Sequence, residues 1–496
     1  MTRFNPLPVQ FNQRQRIGGV VHDCGGINTF AHETEIKDNQ LTVGKNLDLS
    51  TVGKIKKRLG RNRVLNDPGG NAVVGLIYFK AAAVDERMIM VQGTTIYQST
   101  LPLATSGSWS DLTVSNVTAD KYSTTMCNAE EKIFISNGTD TVKYHNGAGV
   151  LACTDTNTDP PKAKVMVYHK NRLWAFNTSS YPDWGWYSDA LDTLTFNRTT
   201  NVFKVASGEA VEITAALSSG DSILIFKETS IHELVIAGAT ATYWTLRPIE
   251  TRHGCCSYYC AVKHGGTIYY FSFSGIRTLG GQFDEIPMSK LVKETWDTIN
   301  WDYVNRSRMV VWDNKLYLSV PTSTSTSPNT VLVWDILTQT WSVITGWNVG
   351  AWGIFLEKTA GSTNAFEETL MYGEGNDGWV NHCFKSTQFN DQSTAIDFHI
   401  ETKAFDFGMP SIYKEGGIFV LNVEQGPHAD DSALTIQASI DGGAFSTLTA
   451  HSGYEYPLDS LGVFKKIMFK VTHNATSKQQ VIITGYEVET YPTRIR

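Results

Sequence analysis

No run of about 18 apolar residues, the length a membrane-spanning helix needs, occurs anywhere in the chain. Charge is also scarce: Asp, Glu, Lys and Arg make up 18% of the residues, and the net charge is −7. An acidic balance excludes a general nucleic-acid binder held by a basic surface, but not a channel through which DNA slides. The opening residues MTRFNPLPVQFNQRQR lack an apolar core and a small-residue cleavage site, so no signal peptide is expected. Cysteine is sparse and odd in number: seven, at Cys24, Cys127, Cys153, Cys255, Cys256, Cys260 and Cys383. That count argues against a disulfide framework and for synthesis in a reducing compartment. Long helical periodicity is nearly absent. GxxxxGK[ST], HExxH and GxSxG are absent too, which removes the usual signatures of phosphate cradles, zinc proteases and serine hydrolases.

What is abundant is Gly, Thr, Ser and Asn, together with 13 Trp, 20 Tyr and 23 Phe. This mix suits half-buried pleated strands joined by tight turns. One phrase recurs: a short apolar strand, a polar or Gly turn, then a strand carrying an aromatic. Copies start at Arg87, Lys132, Asn171, Asp221, Gly266, Asn314 and Glu368. The spacing is roughly 40 to 55 residues, the period of one four-stranded blade. Half-apolar hairpins must stack on neighbours, and closing them into a ring removes exposed edges. The expected fold is all-β, a β-propeller of about seven blades over residues 66–390. Residues 391–496 read as an antiparallel β-sandwich platform, and residues 1–65 as an extended, turn-rich arm that is part of it. One helix is expected at 288–300, and 322–329 reads as a flexible hairpin tip.

Within this frame, several phrases resemble one family. Gly25-Gly26-Ile27-Asn28-Thr29, Ile36-Lys37-Asp38-Asn39-Gln40, Asn46, and the stretch from Gly53 through Arg58 to Gly60 look like the start of tail hub or nozzle proteins of tailed bacteriophages. Asn171-Arg172-Leu173-Trp174 leading to Trp186-Tyr187-Ser188-Asp189 is similar to a blade phrase of theirs. Ile268 to Phe271 with Gly275-Ile276-Arg277 is similar to another, and Thr402-Lys403, Phe407-Gly408, Lys414 and Asp441-Gly442-Gly443 to their closing sandwich. The resemblance spans almost the whole chain and is strongest to the packaged-DNA stabilisation proteins of short-tailed phages. It implies a propeller plus a platform built from both termini. It further implies a homo-oligomeric ring, a hexamer, below portal and head-tail adaptor, retaining packaged DNA in its lumen and releasing it at infection. Tail fibre or spike and plug proteins are the implied neighbours, the virion tail the implied location, and neither enzymatic activity nor a cofactor is implied. The alternative from another class is a propeller glycan hydrolase or lectin; a weaker one is a kelch-type scaffold.

The sharpest charge feature is Lys54, Lys56, Lys57, Arg58, Arg61 and Arg63. Such a run either pairs with phosphates or a partner ring, or protects a strand edge. Tyr181, Trp184 and Trp186 either anchor a subunit or fibre, stack a sugar, or pack a blade. His253, Cys255, Cys256, Cys260 and His264 match no common zinc spacing and read as strand residues. Glu130-Glu131 and Asp430-Asp431 are sequence neighbours, and strand neighbours point to opposite faces, so neither makes an acid/base pair. Ser439 to Phe445 reads as a hairpin turn. Gly373-Glu374-Gly375-Asn376-Asp377-Gly378 offers oxygen ligands to calcium or is a plain turn.

Overall fold

The computed structural model describes residues 16–81, 86–100, 108–112, 124–205, 211–279, 288–358, 366–424, 433–474 and 480–493. The chain divides into two compact units. One comprises Met1–Arg58, Thr338–Ser342 and Ala395–Arg496; the other Leu59–Leu337 and Val343–Thr394.

The larger unit is a β-propeller. Seven antiparallel sheets follow one another, opening with Val73–Phe79, Thr125–Ala129, Ala163–His169, Ile213–Ser219, Ala261–His264, Arg308–Trp312 and Val349–Lys358. These first strands neighbour one another in cyclic order, and the seventh returns to the first. Six sheets have four or more strands; the fifth, Ala261–His264, Thr267–Ser272 and Gly275–Leu279, has three among the described residues. Apolar residues from facing sheets form the cores between blades. Ile89, Val91, Met126, Ile133 and Ile135 pack the first blade on the second, and Trp174, Phe176, Ile213, Ile223 and Ile225 pack the third on the fourth. Trp174 is fully buried, and its indole N–H donates to the His169 carbonyl at 3.1 Å. Tight turns join the strands: Glu130 and Glu131 both take left-handed φ values, 45° and 57°, in the turn between Thr125–Ala129 and Lys132–Ser136.

The seventh blade takes its fourth strand from far upstream. Arg61–Val64 pairs antiparallel with Val380–Cys383, Arg61 opposite Cys383 and Val64 opposite Val380. Such a strand latches the ring, because the last blade cannot open without unpairing it. The observed divide therefore falls after Arg58 and Thr394 rather than at 65 and 390: residues 61–64 are blade, not platform. Gly60 makes the close approach possible. A Cβ there would lie 1.9 Å from the Asn390 carbonyl oxygen.

The smaller unit is a sandwich built from both termini. One sheet runs Leu47–Asp48, Ile55–Lys57, Ile482–Pro492, Lys414–Val423 and Glu455–Pro457, with Ile17–Val21 also on Ile482–Pro492. The other contains Leu41–Lys45, Phe398–Thr402, Ile467–His473 and Leu434–Ile440. Phe419 of the first stacks on Phe469 of the second at 4.1 Å between centroids. The arm is turn-rich within the described residues, but it adds short strands to both sheets. Its strands are two to five residues long, too short for alternation to register.

Two smaller expectations are refined. Residues 288–300 hold a 3₁₀ turn, Met288–Val292, and only a short α-helix, Lys293–Asp297, between the fifth and sixth blades. The tip at 322–329 is tied down rather than loose: Thr322 Oγ1 donates to Asn329 Oδ1 at 2.9 Å, and Asn300 Nδ2 to the Ser325 carbonyl at 3.0 Å.

Candidate functional site

The basic run does not form one patch. Lys57 and Arg58 are buried, and this corrects the expectation that the run as a whole meets phosphate or a partner ring. A buried cation must be satisfied internally. Lys57 Nζ lies 3.3 Å from His473 Nδ1, and Arg58 Nε donates to Asn46 Oδ1 at 2.9 Å. Lys54 pairs with Glu424, and Lys56 Nζ donates to Thr51 Oγ1 at 2.9 Å.

Arg61 and Arg63, on the latch strand of the propeller, belong to a different group. Arg61 pairs with Glu374, whose side chain is 7% exposed, and donates to Asn381 Oδ1 at 2.9 Å. Burial pulls the Arg61 pKa down, but Tyr372, Glu374 and Asp391 together carry it above its ordinary value. Arg63 lies 3.5 Å from Glu374, 3.6 Å from Asp377, and over the Trp379 ring at 4.5 Å. Asp67, just past the same strand, accepts from the N–H groups of Gly69 (3.0 Å) and Gly70 (2.8 Å) and from Gln92 Nε2 (2.8 Å). Burial raises its pKa, but the Gly70 N–H, the Gln92 amide, the Gly69 N–H and the Asp377 carboxyl outweigh that and hold it below the usual carboxylate range. The 373–378 loop is therefore no isolated turn: Glu374 and Asp377 meet arginines that stand more than 300 residues upstream.

The aromatic cluster packs the third blade. Trp186 is buried in the core between second and third blades, Trp184 stands 6.2 Å from it, and Tyr181 stacks on Trp184 at 4.5 Å. Tyr181, 48% exposed, is the member left to meet a partner.

The cysteine cluster is buried against the fourth and fifth blades: the Cys255 N–H donates to the Lys227 carbonyl at 2.8 Å and the Cys256 N–H to the Phe271 carbonyl at 3.0 Å. Cys255 and Cys256 donate to the Ser257 and Phe271 carbonyls, each at 3.2 Å, and burial pushes the Cys255 thiol up to about 12. His253 lies instead 3.1 Å from Ser274 Oγ, so no thiol–imidazole pair forms there. Among the described residues no group of three or more His, Cys, Asp or Glu gathers as a metal would require. The next residues matter more. Tyr259 precedes the fifth blade, bridges to Arg308 of the sixth, and accepts the Met126 N–H of the second at 2.8 Å. It reaches across the ring, into a cavity of about 410 Å³ lined by the first strands of the first, second, sixth and seventh blades. Sequence reading missed Tyr259, since Ser257-Tyr258-Tyr259-Cys260 looks like any aromatic strand. Of the carboxylate pairs, Glu130 and Glu131 occupy a hairpin turn, and Asp430-Asp431 lie outside the described residues. Asp441 and Gly442 form a turn with left-handed φ, and Asp441 Oδ1 accepts the Lys465 and Lys466 N–H groups.

These features define a β-propeller with an appended sandwich. No protein-family model and no curated protein matches the chain. Solved structures similar to the chain include YCF48 bound to D1 peptide, at 9% identity over 66% of this chain and 96% of that one, TM-score 0.40. The Pan2 WD40 domain of Neurospora crassa matches at 9% identity over 68% and 97%, TM-score 0.40. PorZ of Porphyromonas gingivalis matches at 10% identity over 80% and 48%, TM-score 0.38. Likeness at that level carries nothing about activity; the propeller rests on the strand order above.

Proposed function

We propose that the chain is a structural part of a bacteriophage tail, the hub or nozzle below portal and adaptor. Six copies ring a channel that retains packaged DNA and conducts it at infection. One observation carries this reading: the phrases that resemble the tail-hub family run through nearly the whole chain, and the architecture they imply, a propeller with a platform from both termini, matches the division into Met1–Arg58 with Ala395–Arg496 and a propeller between. The mechanism is steric and electrostatic. A chain of net charge −7 gives the lumen little attraction for phosphate, so DNA slides, while a plug protein or loops block the exit. The DNA path on this reading lies between copies, since Tyr259 crosses the propeller's own axis and the cavity beside it, about 410 Å³, is small-molecule sized. Adaptor, fibre or spike, and plug are the partners.

Quantitative mass spectrometry of gradient-purified particles from the source culture tests this. The expected result is peptides of this chain at a fixed, low ratio to the major capsid protein. Their absence from particles, with the chain abundant in the soluble fraction, overturns the reading and favours the glycan-directed alternative.

A further inference from the structure

The cavity of about 410 Å³ beside Tyr259 lies among the first strands of the first, second, sixth and seventh blades. Its lining changes along each of those strands. Gly75, Met126, Arg308 and Ala351, near the strand starts, are buried, whereas Tyr78, Asn128, Val310 and Ile354, further on, are half-buried or exposed. The cavity is therefore closed at one end and open at the other. Tyr259 floors it: its hydroxyl accepts the Met126 N–H, its carbonyl accepts the Met309 N–H at 2.9 Å, and the Arg308 guanidinium lies 5.0 Å from its ring centre. Arg308, 2% exposed, is the one charged side chain among the described lining residues, and no carboxylate lines the cavity with it. The lining is thus positive in a chain of net charge −7. Trp352 lines the same cavity, and its indole N–H is buried with no hydrogen-bond partner among the described residues. A buried donor left without an acceptor, in a cavity that also holds a buried cation, calls for a ligand that accepts and carries negative charge.

We propose that this cavity binds a small organic carboxylate with a flat apolar body, its charge met by Arg308 and its body by the apolar and aromatic wall. A guanidinium presents a planar fork that matches a carboxylate in two parallel bonds. One cation balances a monoanion; a phosphate dianion would leave charge unpaired among Leu76, Met309 and Val310, which burial penalises. Tyr78, Tyr259 and Trp352 supply aromatic surface for a flat ligand. A volume of about 410 Å³ with mostly apolar walls and few polar groups is that of a small-molecule site. Trp352 is fixed by its packing on Tyr317, Trp347 and Tyr372, with ring centres 5.7 to 6.5 Å away, so its N–H is held in place before a ligand arrives. The inference does not rest on the tail reading; it concerns what the interior of this propeller can hold.

Calorimetric titration of the full chain with benzoate, cinnamate and 2-naphthoate tests it, with 2-naphthamide as the uncharged counterpart and inorganic phosphate as the anion without an apolar body. The expected result is a single site for at least one of the carboxylates, with a dissociation constant on the order of 10⁻⁴ M, ordinary for a ligand of this size. 2-Naphthamide binds at least about tenfold more weakly, and phosphate does not compete. Trp352→Phe keeps the packing and removes the N–H, so binding weakens about threefold to tenfold while the melting temperature stays in place. Asn128→Asp, at the exposed mouth, weakens binding of the carboxylate but not of the amide, and high salt removes the difference. Arg308→Lys keeps the charge but not the fork and weakens binding at least about tenfold; should it fail to fold, Trp352→Phe and Asn128→Asp still decide the matter. No carboxylate bound at about 5 mM, equal binding of the amide, competition by phosphate, or variants that bind like wild type would each overturn the proposal.

Discussion

Removing the Arg61 guanidinium while keeping its bulk, as Arg61→Met, separates an internal role for this cation from an external one. Glu374 is left 7% exposed with Arg63 at 3.5 Å and Asn381 Nδ2 at 3.0 Å. Breaking a buried pair by deleting one partner costs about 3–5 kcal/mol, because the stranded charge stays desolvated. Arg63 and Asn381 relieve part of this, so the expected loss is about 3 kcal/mol, roughly a hundredfold in the folded-to-unfolded ratio. For a unit of this size that lowers the melting temperature by about 4 °C. Adding Glu374→Gln to the variant removes the stranded charge and restores at least about 1 kcal/mol, a coupling that a double-mutant cycle reads directly. Differential scanning calorimetry of the four proteins is the assay. If Arg61→Met melts like wild type and the cycle shows no coupling, the latch does not depend on this pair, and Arg61 is free to serve a partner instead.

Three further outcomes follow from the same geometry. Gly60→Ala drives a Cβ into the Asn390 backbone, which cannot swing aside, and costs at least about 2 kcal/mol by chemical denaturation. Acid weakens the propeller through His145 and His382, both held down at about 4, by burial first, then by Arg87 and Lys385 respectively. His145 accepts the Gly147 N–H at Nδ1 (3.0 Å) and lies 3.2 Å from Gln98 Oε1 at Nε2, an arrangement for a neutral ring. Both depressed values mean the unfolded chain takes up protons first. Stability is then whole above pH about 6.5 and falls on the way to about 4, by about 2–3 kcal/mol for His145. His145→Gln flattens that slope in denaturation midpoints measured across the window. Thiol labelling at pH 8 leaves Cys255, Cys256 and Cys260 unmodified in the native protein and labels them in guanidinium, since all three are buried with raised pKa values.

The propeller was legible because each blade carries its middle hairpin as an apolar strand, a turn and an aromatic strand, and the seven copies starting at Arg87 through Glu368 mark the seven sheets. The sandwich was legible through the longer alternating strands Phe398–Thr402, Ile467–His473 and Ile482–Pro492. The latch was not, because Arg61–Val64 is four residues with no local periodicity, and its identity lies in pairing with Val380–Cys383. The basic run misled for the same reason: within ten residues the chain leaves one unit and enters the other, and the partners, His473, Glu424 and Glu374, are hundreds of positions away. Tyr259 and the Arg61–Glu374 and Arg63–Asp377 pairs were invisible because nothing in a single sequence announces which distant strands share a seam.

The measurement that bears most directly on the tail reading is immunogold labelling of intact particles with antibody against this chain. Gold at a single vertex, beneath the head, is the predicted result. Particles without label, with the chain remaining soluble, would contradict it.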